Sequence, residues 1–295
     1  MALNWQTFKT RALTAIVFVV VMLAGLLWNQ WSFLVLFSII HFGCWWEYFR
    51  LLEKMNNNIF HVYTKLGLML MGYAILLWFC GSHYQISGYG LRDNFSLPVS
   101  LAGFIMLITG IFQKNTIGLK FFANAALGLL YISLSWGFML DLYFVTRLNH
   151  GDLAFNLAPG NLPIIIIASI WINDTMAYIV GSFIGKTPLS KISPKKTWEG
   201  TIGGVILCIT VIGALTPLVL YREFLIIHSI AFGIIAGISA IVGTLGDLLE
   251  SKLKRKAGVK DSGQIMPGHG GFLDRFDSLL LATPLVWLYV QLFMR

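Results

Sequence analysis

Asp247 and Glu250 stand three residues apart, and Lys254 follows four residues later. In a helix those offsets, i, i+3 and i+7, put all three side chains on one face. Asp274 and Asp277 repeat the i, i+3 spacing downstream, on a helix expected to begin near Leu273. Two pairs of carboxylates, with no cysteine and few histidines among them, suit a hard cation such as Mg²⁺ better than Zn²⁺. Magnesium commonly bridges one or two carboxylates and the phosphates of a substrate. Lysines and arginines interleaved with the acids (Lys254, Arg255, Lys260, Arg275) are suited to the remaining phosphate charge.

A second basic stretch is "SPKKTWEG", Ser193–Gly200. Serine before proline is a good helix start, so Ser193 is expected to cap a helix with Pro194, Lys195 and Lys196 in its first turn. Cations there oppose the helix dipole unless an anion is bound, and the free N–H groups with two ammoniums would make a phosphate site. Glu199 either offsets the lysines or helps hold a metal. "PGHGG", 267–271, supplies a loop where backbone can approach a ligand closely. Asn173 and Asp174 fall inside an apolar run; an acid there is a functional candidate, or it pairs with a base to position helices.

These polar groups sit in a very apolar chain. Of 295 residues, 57% are hydrophobic and 12% charged, where a soluble domain has about 25% charged. That profile implies an all-α, polytopic integral membrane protein. Nine apolar segments are expected, roughly 12–28, 31–49, 66–80, 97–112, 121–145, 162–184, 202–221, 226–247 and 277–294. The first follows Lys9 and Arg11 as a signal peptide would, but no small-residue cleavage site comes after it, so it reads as a retained helix. Placing the N-terminus in the cytoplasm puts 17 of the 21 Lys and Arg residues inside and four outside, a strong positive-inside bias. Ten of the seventeen lie in the last two inside loops, more than orientation requires. The net charge of +8 is then a cytoplasmic surface facing anionic headgroups or an anionic soluble substrate. The chain divides into 1–150, about five spans with few polar marks, and 151–295, about four spans framing both charged loops. Cys44, Cys80 and Cys208 lie in apolar runs without metal spacing and read as small buried hydrophobes. Gly233 and Gly237 permit close helix packing, within one chain or across a homodimer.

Residues 251–278, "SKLKRKAGVKDSGQIMPGHGGFLDRFDS", resemble the C-terminal motif of the phosphatidate cytidylyltransferases. The matching positions are Ser251, Lys254-Arg255, Lys260-Asp261, His269-Gly270-Gly271 and Asp274-Arg275-Phe276-Asp277. "NDTMAY", "SPKKTWEG" and "GDLLES" resemble family motifs in the same order, while the first half is similar in hydropathy and in touches such as "WEYFRL". The resemblance implies transfer of a cytidylyl group from CTP to phosphatidic acid, with Mg²⁺, at a site on the cytoplasmic face of the membrane, the inner membrane if the source is bacterial. It implies Asp247 and Asp274 as main metal ligands, with Asp277 and Glu250 in support. Lys195, Lys196, Lys254, Arg255, Lys260 and Arg275 would contact phosphates, and His269 would order the loop or touch the nucleotide. Asn173, Asp174, Ser193, Thr197, Glu199, Ser251, Asp261, Gly268, Gly270 and Gly271 carry over as substrate-binding positions. No nucleic-acid partner is expected. Two rival readings remain: an enzyme using CTP on another lipid phosphate, and a transporter, for which Asp174 is the best support.

Overall fold

Long apolar runs in lipid must satisfy their own backbone groups, and this chain does so almost wholly with helices. The computed structural model describes residues 5–113, 118–150, 153–221, 226–263 and 270–295. Its helices are α1 (Trp5–Leu27), α2 (Gln30–Asn56), α3 (Val62–Trp78), α4 (Ser96–Gln113), α5 (Leu119–Gly128), α6 (Ser135–Tyr143), α7 (Asn161–Ile184), α8 (Trp198–Tyr221), α9 (Ile226–Lys256) and α10 (Leu273–Phe293). A π-helical turn at Leu91–Phe95 leads into α4, and another at Leu129–Leu134 joins α5 to α6. Two short antiparallel strand pairs, Gln85–Ile86 with Tyr89–Gly90 and Arg147–His150 with Leu153–Asn156, lie between helices.

Among the described residues, seven helical stretches are long and apolar enough to cross a membrane. Ile16–Leu27 and Val62–Trp78 are shorter apolar helices. The protein is therefore an all-α polytopic membrane protein. Several helices outrun the apolar segments seen in sequence. The largest difference is α9, expected over 226–247 and observed to Lys256. Its last turn carries Lys254, Arg255 and Lys256, cations that favour a helix C-terminus, and Gly258 (φ +68°) follows in the left-handed region that ends helices. Hydropathy marks where lipid begins, not where the hydrogen-bonded ladder stops.

The described residues pack as two compact units, one from Met1–Leu140 and Leu253–Phe276, the other from Asp141–Lys252 and Asp277–Arg295. The first is built around α2, whose Phe33, Phe37, Ile40, Trp45 and Phe49 are buried. One polar cluster is paired inside it: Ser133 Oγ accepts from Trp45 Nε1 at 2.9 Å and lies 3.0 Å from His41 Nε2. In the second unit α9 runs against the start of α10 at Gly246. A Cβ there would lie 2.5 Å from the Asp277 carbonyl, so only glycine permits this approach. All three cysteines are buried and outside any disulfide, as their apolar settings predict.

Candidate functional site

The lysine-rich loop between α7 and α8 folds back on itself. Leu189 N–H donates to the Lys196 carbonyl at 2.7 Å, and Trp198 N–H donates to the Thr187 carbonyl at 2.9 Å. Ser193–Lys196 forms the turn, closed by the Lys196 N–H on the Ser193 carbonyl at 3.1 Å. The helix starts at Trp198, so the cap is Thr197, whose Oγ1 accepts from Gly200 N–H at 3.2 Å. This corrects the expected cap at Ser193: Pro194 serves a turn as readily as a first helical turn, and the backbone pairing of 187–198 selects the turn. Lys195 and Lys196 consequently precede the helix. Glu199 accepts from the N–H groups of Lys186 and Thr187 at 3.2 Å, fastening the far side of the loop to α8.

This fold-back walls one side of a cavity of about 350 Å³. From α7 come Asn173, Asp174 and Tyr178; from the loop, Lys195, Lys196 and Thr197; from α9, Thr244 and Asp247. Lys196 Nζ forms an ion pair with Asp247 Oδ2. Asn173 is 2% exposed and donates from Nδ2 to Thr244 Oγ1 at 3.3 Å, while its Oδ1 has no hydrogen-bond partner among the described residues. The cavity thus offers ammonium groups, two carboxylates and a spare amide oxygen within one enclosure.

Asp247 belongs to a second constellation in the same unit. One carboxylate oxygen each from Asp247, Glu250 and Asp277 lies within 4.8 Å of the others. Glu250 and Asp277 are buried, Asp247 is half-buried, and Ser251 Oγ donates to Asp247 Oδ1 at 3.3 Å. Three carboxylates so close, two of them withdrawn from water, concentrate negative charge that a bound cation would offset. An all-oxygen donor set of this kind fits a hard divalent ion. The i, i+3 spacing on α9 and the glycine at position 246 bring this trio together.

In the first unit Asp274 is differently engaged. It accepts from Lys254 Nζ at 2.6 Å, from Ser262 N–H at 2.9 Å and from Gly271 N–H at 2.8 Å. Of the four acids proposed for metal, the trio holds Asp247, Glu250 and Asp277, while Asp274 fastens the polar loop before α10. Gly270, at φ +86°, occupies the left-handed region beside it. Arg255, Lys260, Asp261 and Arg275 are exposed. His269 and Gly268 lie outside the described residues.

Glu47 on α2 was missed by the sequence reading. It is fully buried, and its carboxylate accepts from Phe272 N–H and Leu273 N–H, each at 2.9 Å, and from Ser262 Oγ at 2.7 Å. The first N–H groups of a helix have no partner within it; here an acid from another helix supplies one for α10. A Cβ at Gly263 or Gly271 would collide with this carboxylate. The signal was present in "WEYFRL": Glu47, like Asp174, is an acid inside an apolar run, and such an acid is a functional candidate.

Residues 9–293 match the cytidylyltransferase family. A phosphatidate cytidylyltransferase of Bacillus subtilis is 31% identical over 292 residues, covering 98% of each chain. One from Staphylococcus saprophyticus is 34% identical over 284 residues, 94% of this chain and 97% of that one. One from Synechocystis is 40% identical over 216 residues, 65% of this chain and 70% of the other. With the match running almost from end to end, and the polar residues of α7, α9 and the two charged loops inside it, the chain belongs to the cytidylyltransferase family.

Proposed function

We propose that the protein is a phosphatidate cytidylyltransferase, converting CTP and phosphatidic acid to CDP-diacylglycerol and pyrophosphate at the cytoplasmic face of the membrane, the inner membrane in a bacterium. The observation that carries this reading is the convergence of Asp247, Glu250 and Asp277, with Asp247 shared by the lysine-bearing cavity. A lipid phosphate oxygen attacks the α-phosphorus of CTP; the new P–O bond forms as the bond to the β-phosphate oxygen breaks, and pyrophosphate departs. Such a transfer needs in-line positioning and charge neutralisation, and no protein nucleophile. Mg²⁺ held by the three acids would neutralise charge on the triphosphate. The protein's own contribution is placement. Lys195 and Lys196 attract phosphate to the cavity wall, the 187–198 fold-back fixes their approach, and the Asn173 Oδ1 offers an acceptor to a donor on the bound nucleotide.

The test is incubation of the purified protein in mixed micelles with CTP labelled at the α-phosphorus. Phosphatidic acid, polyprenyl phosphate and an ether-linked lipid phosphate are supplied in separate reactions, with and without magnesium. Labelled CDP-diacylglycerol formed only with magnesium and preferentially with phosphatidic acid is the expected result. Label on another acceptor at higher kcat/KM would move the substrate assignment. Absence of pyrophosphate release with every acceptor would end the enzymatic reading.

A further inference from the structure

Arg50 and Lys54 stand one turn apart near the C-terminal end of α2, three and seven residues beyond Glu47. They share a cleft of about 330 Å³ with Lys260, Asp261, Ser262 and Gly263, all within the first unit. None of its lining residues lines the cavity built around Lys196. The three cations have no hydrogen bond or ion pair with a described residue. The neighbouring acid on α2, Glu53, is already engaged by Lys65 Nζ at 2.7 Å and by the Phe60 N–H at 2.9 Å. Asp261 offsets part of the charge and leaves the cleft cationic.

Loose surface lysines would satisfy an orientation signal, but this cleft has a fixed wall. Ser262 is buried, with its Oγ on Glu47 at 2.7 Å and on Asp274 at 2.9 Å and its N–H on Asp274. Glu47 therefore sets the position of the 259–263 wall relative to the helix that carries Arg50 and Lys54. A planar guanidinium and two ammoniums over a preformed backbone wall are the chemistry of phosphate recognition.

We infer that the cleft of Arg50, Lys54 and Lys260 is a phosphate-binding site that recognises one of the two anionic substrates by a phosphate group. This rests on the cytidylyltransferase reading for the identity of the ligands, while the existence of the site does not. The phosphate belongs either to the lipid headgroup or to the nucleotide.

The experiment uses the full chain in detergent and measures equilibrium binding by calorimetry, with soluble dihexanoyl phosphatidic acid and CTP as separate probes. Wild type is compared with the double variant Arg50→Gln/Lys54→Gln. A control, Lys252→Gln/Lys256→Gln, removes the same charge from exposed positions on α9 that line neither cavity. The expected result is a rise in Kd of about tenfold or more for one probe, about 1.4 kcal/mol, with the other unchanged and the control unchanged for both. A loss confined to the short-chain lipid assigns the cleft to the headgroup; a loss confined to CTP assigns it to the nucleotide. Unchanged affinity for both probes, or an equal loss in the control, overturns the site. Should the double variant aggregate, Lys54→Gln alone carries the comparison, with a rise of about threefold or more expected and no change overturning the site. Binding needs no turnover, so a protein that binds both probes and forms no CDP-lipid would sink the proposed reaction and leave the cleft standing.

Discussion

Asp277, and not Asp274, lies with Asp247 and Glu250 in the carboxylate trio, while the family resemblance implies Asp274 as a main ligand and Asp277 in support. Both were visible as an i, i+3 pair, but the position of the α10 start against Gly246 decides which carboxylate meets Asp247 and Glu250. Asp247→Asn or Asp277→Asn is expected to cut turnover by about 100-fold or more, the scale of losing one preorganised electrostatic group, in a protein that still elutes as a folded species. Near-normal rates at ordinary magnesium would remove that residue from the ligand set. Lys196 and Lys191 supply a paired test, since both are basic and five residues apart. Lys196 lines the cavity and pairs with Asp247, whereas Lys191 is exposed outside the lining. Lys196→Ala should lower kcat/KM about 10–100-fold, at about 1.5–3 kcal/mol for a charged hydrogen bond. Lys191→Ala should stay within about twofold, as an exposed charge does. Steady-state kinetics at two ionic strengths separates these outcomes; equal losses that fade with salt would reduce the loop to a basic surface.

At the scale of the element, α9 positions the chemistry. Its glycine at 246 lets the helix touch the Asp277 backbone, and its neighbour Leu245 is half exposed on the other side. Gly246→Val should force α9 from α10 and depress activity by about tenfold or more, from about 1–3 kcal/mol of overpacking, while Leu245→Val leaves it nearly unchanged. Similar rates in the two variants would deny that the close approach matters. Much of this element was legible beforehand. The acids on one face of α9, the α10 start at Leu273 and the lysine loop before α8 all follow from spacing and composition. The cap at Thr197 was hidden because Ser193 and Thr197 are both good caps, and only the 187–198 backbone pairing chooses between them. The anchoring role of Glu47 was hidden for another reason: its donors lie 215 to 226 residues away, beyond any local pattern.

For the whole molecule, the bias of 17 basic residues to four predicts that Ser193–Gly200 and the polar residues from Lys252 to Asp274 face the cytoplasm. Cysteines introduced at Lys191 and Lys256 should resist an impermeant thiol reagent in intact cells and react once the membrane is permeabilised. Ready labelling of intact cells would reverse the orientation and the placement of the site together. The long-range hold of Glu47 also has a consequence for how the chain is born. Ribosomes add about 5–20 residues per second, so on the order of 10–40 seconds separate synthesis of Glu47 from that of Ser262, 215 residues later. Through that interval α2 already exists with an acid in it, and the donors that will satisfy this acid have not been made. A nascent chain is thus obliged to keep Glu47 hydrated or chaperoned until its own last tenth emerges, and chains truncated before Ser262 are the ones that quality-control proteases should find.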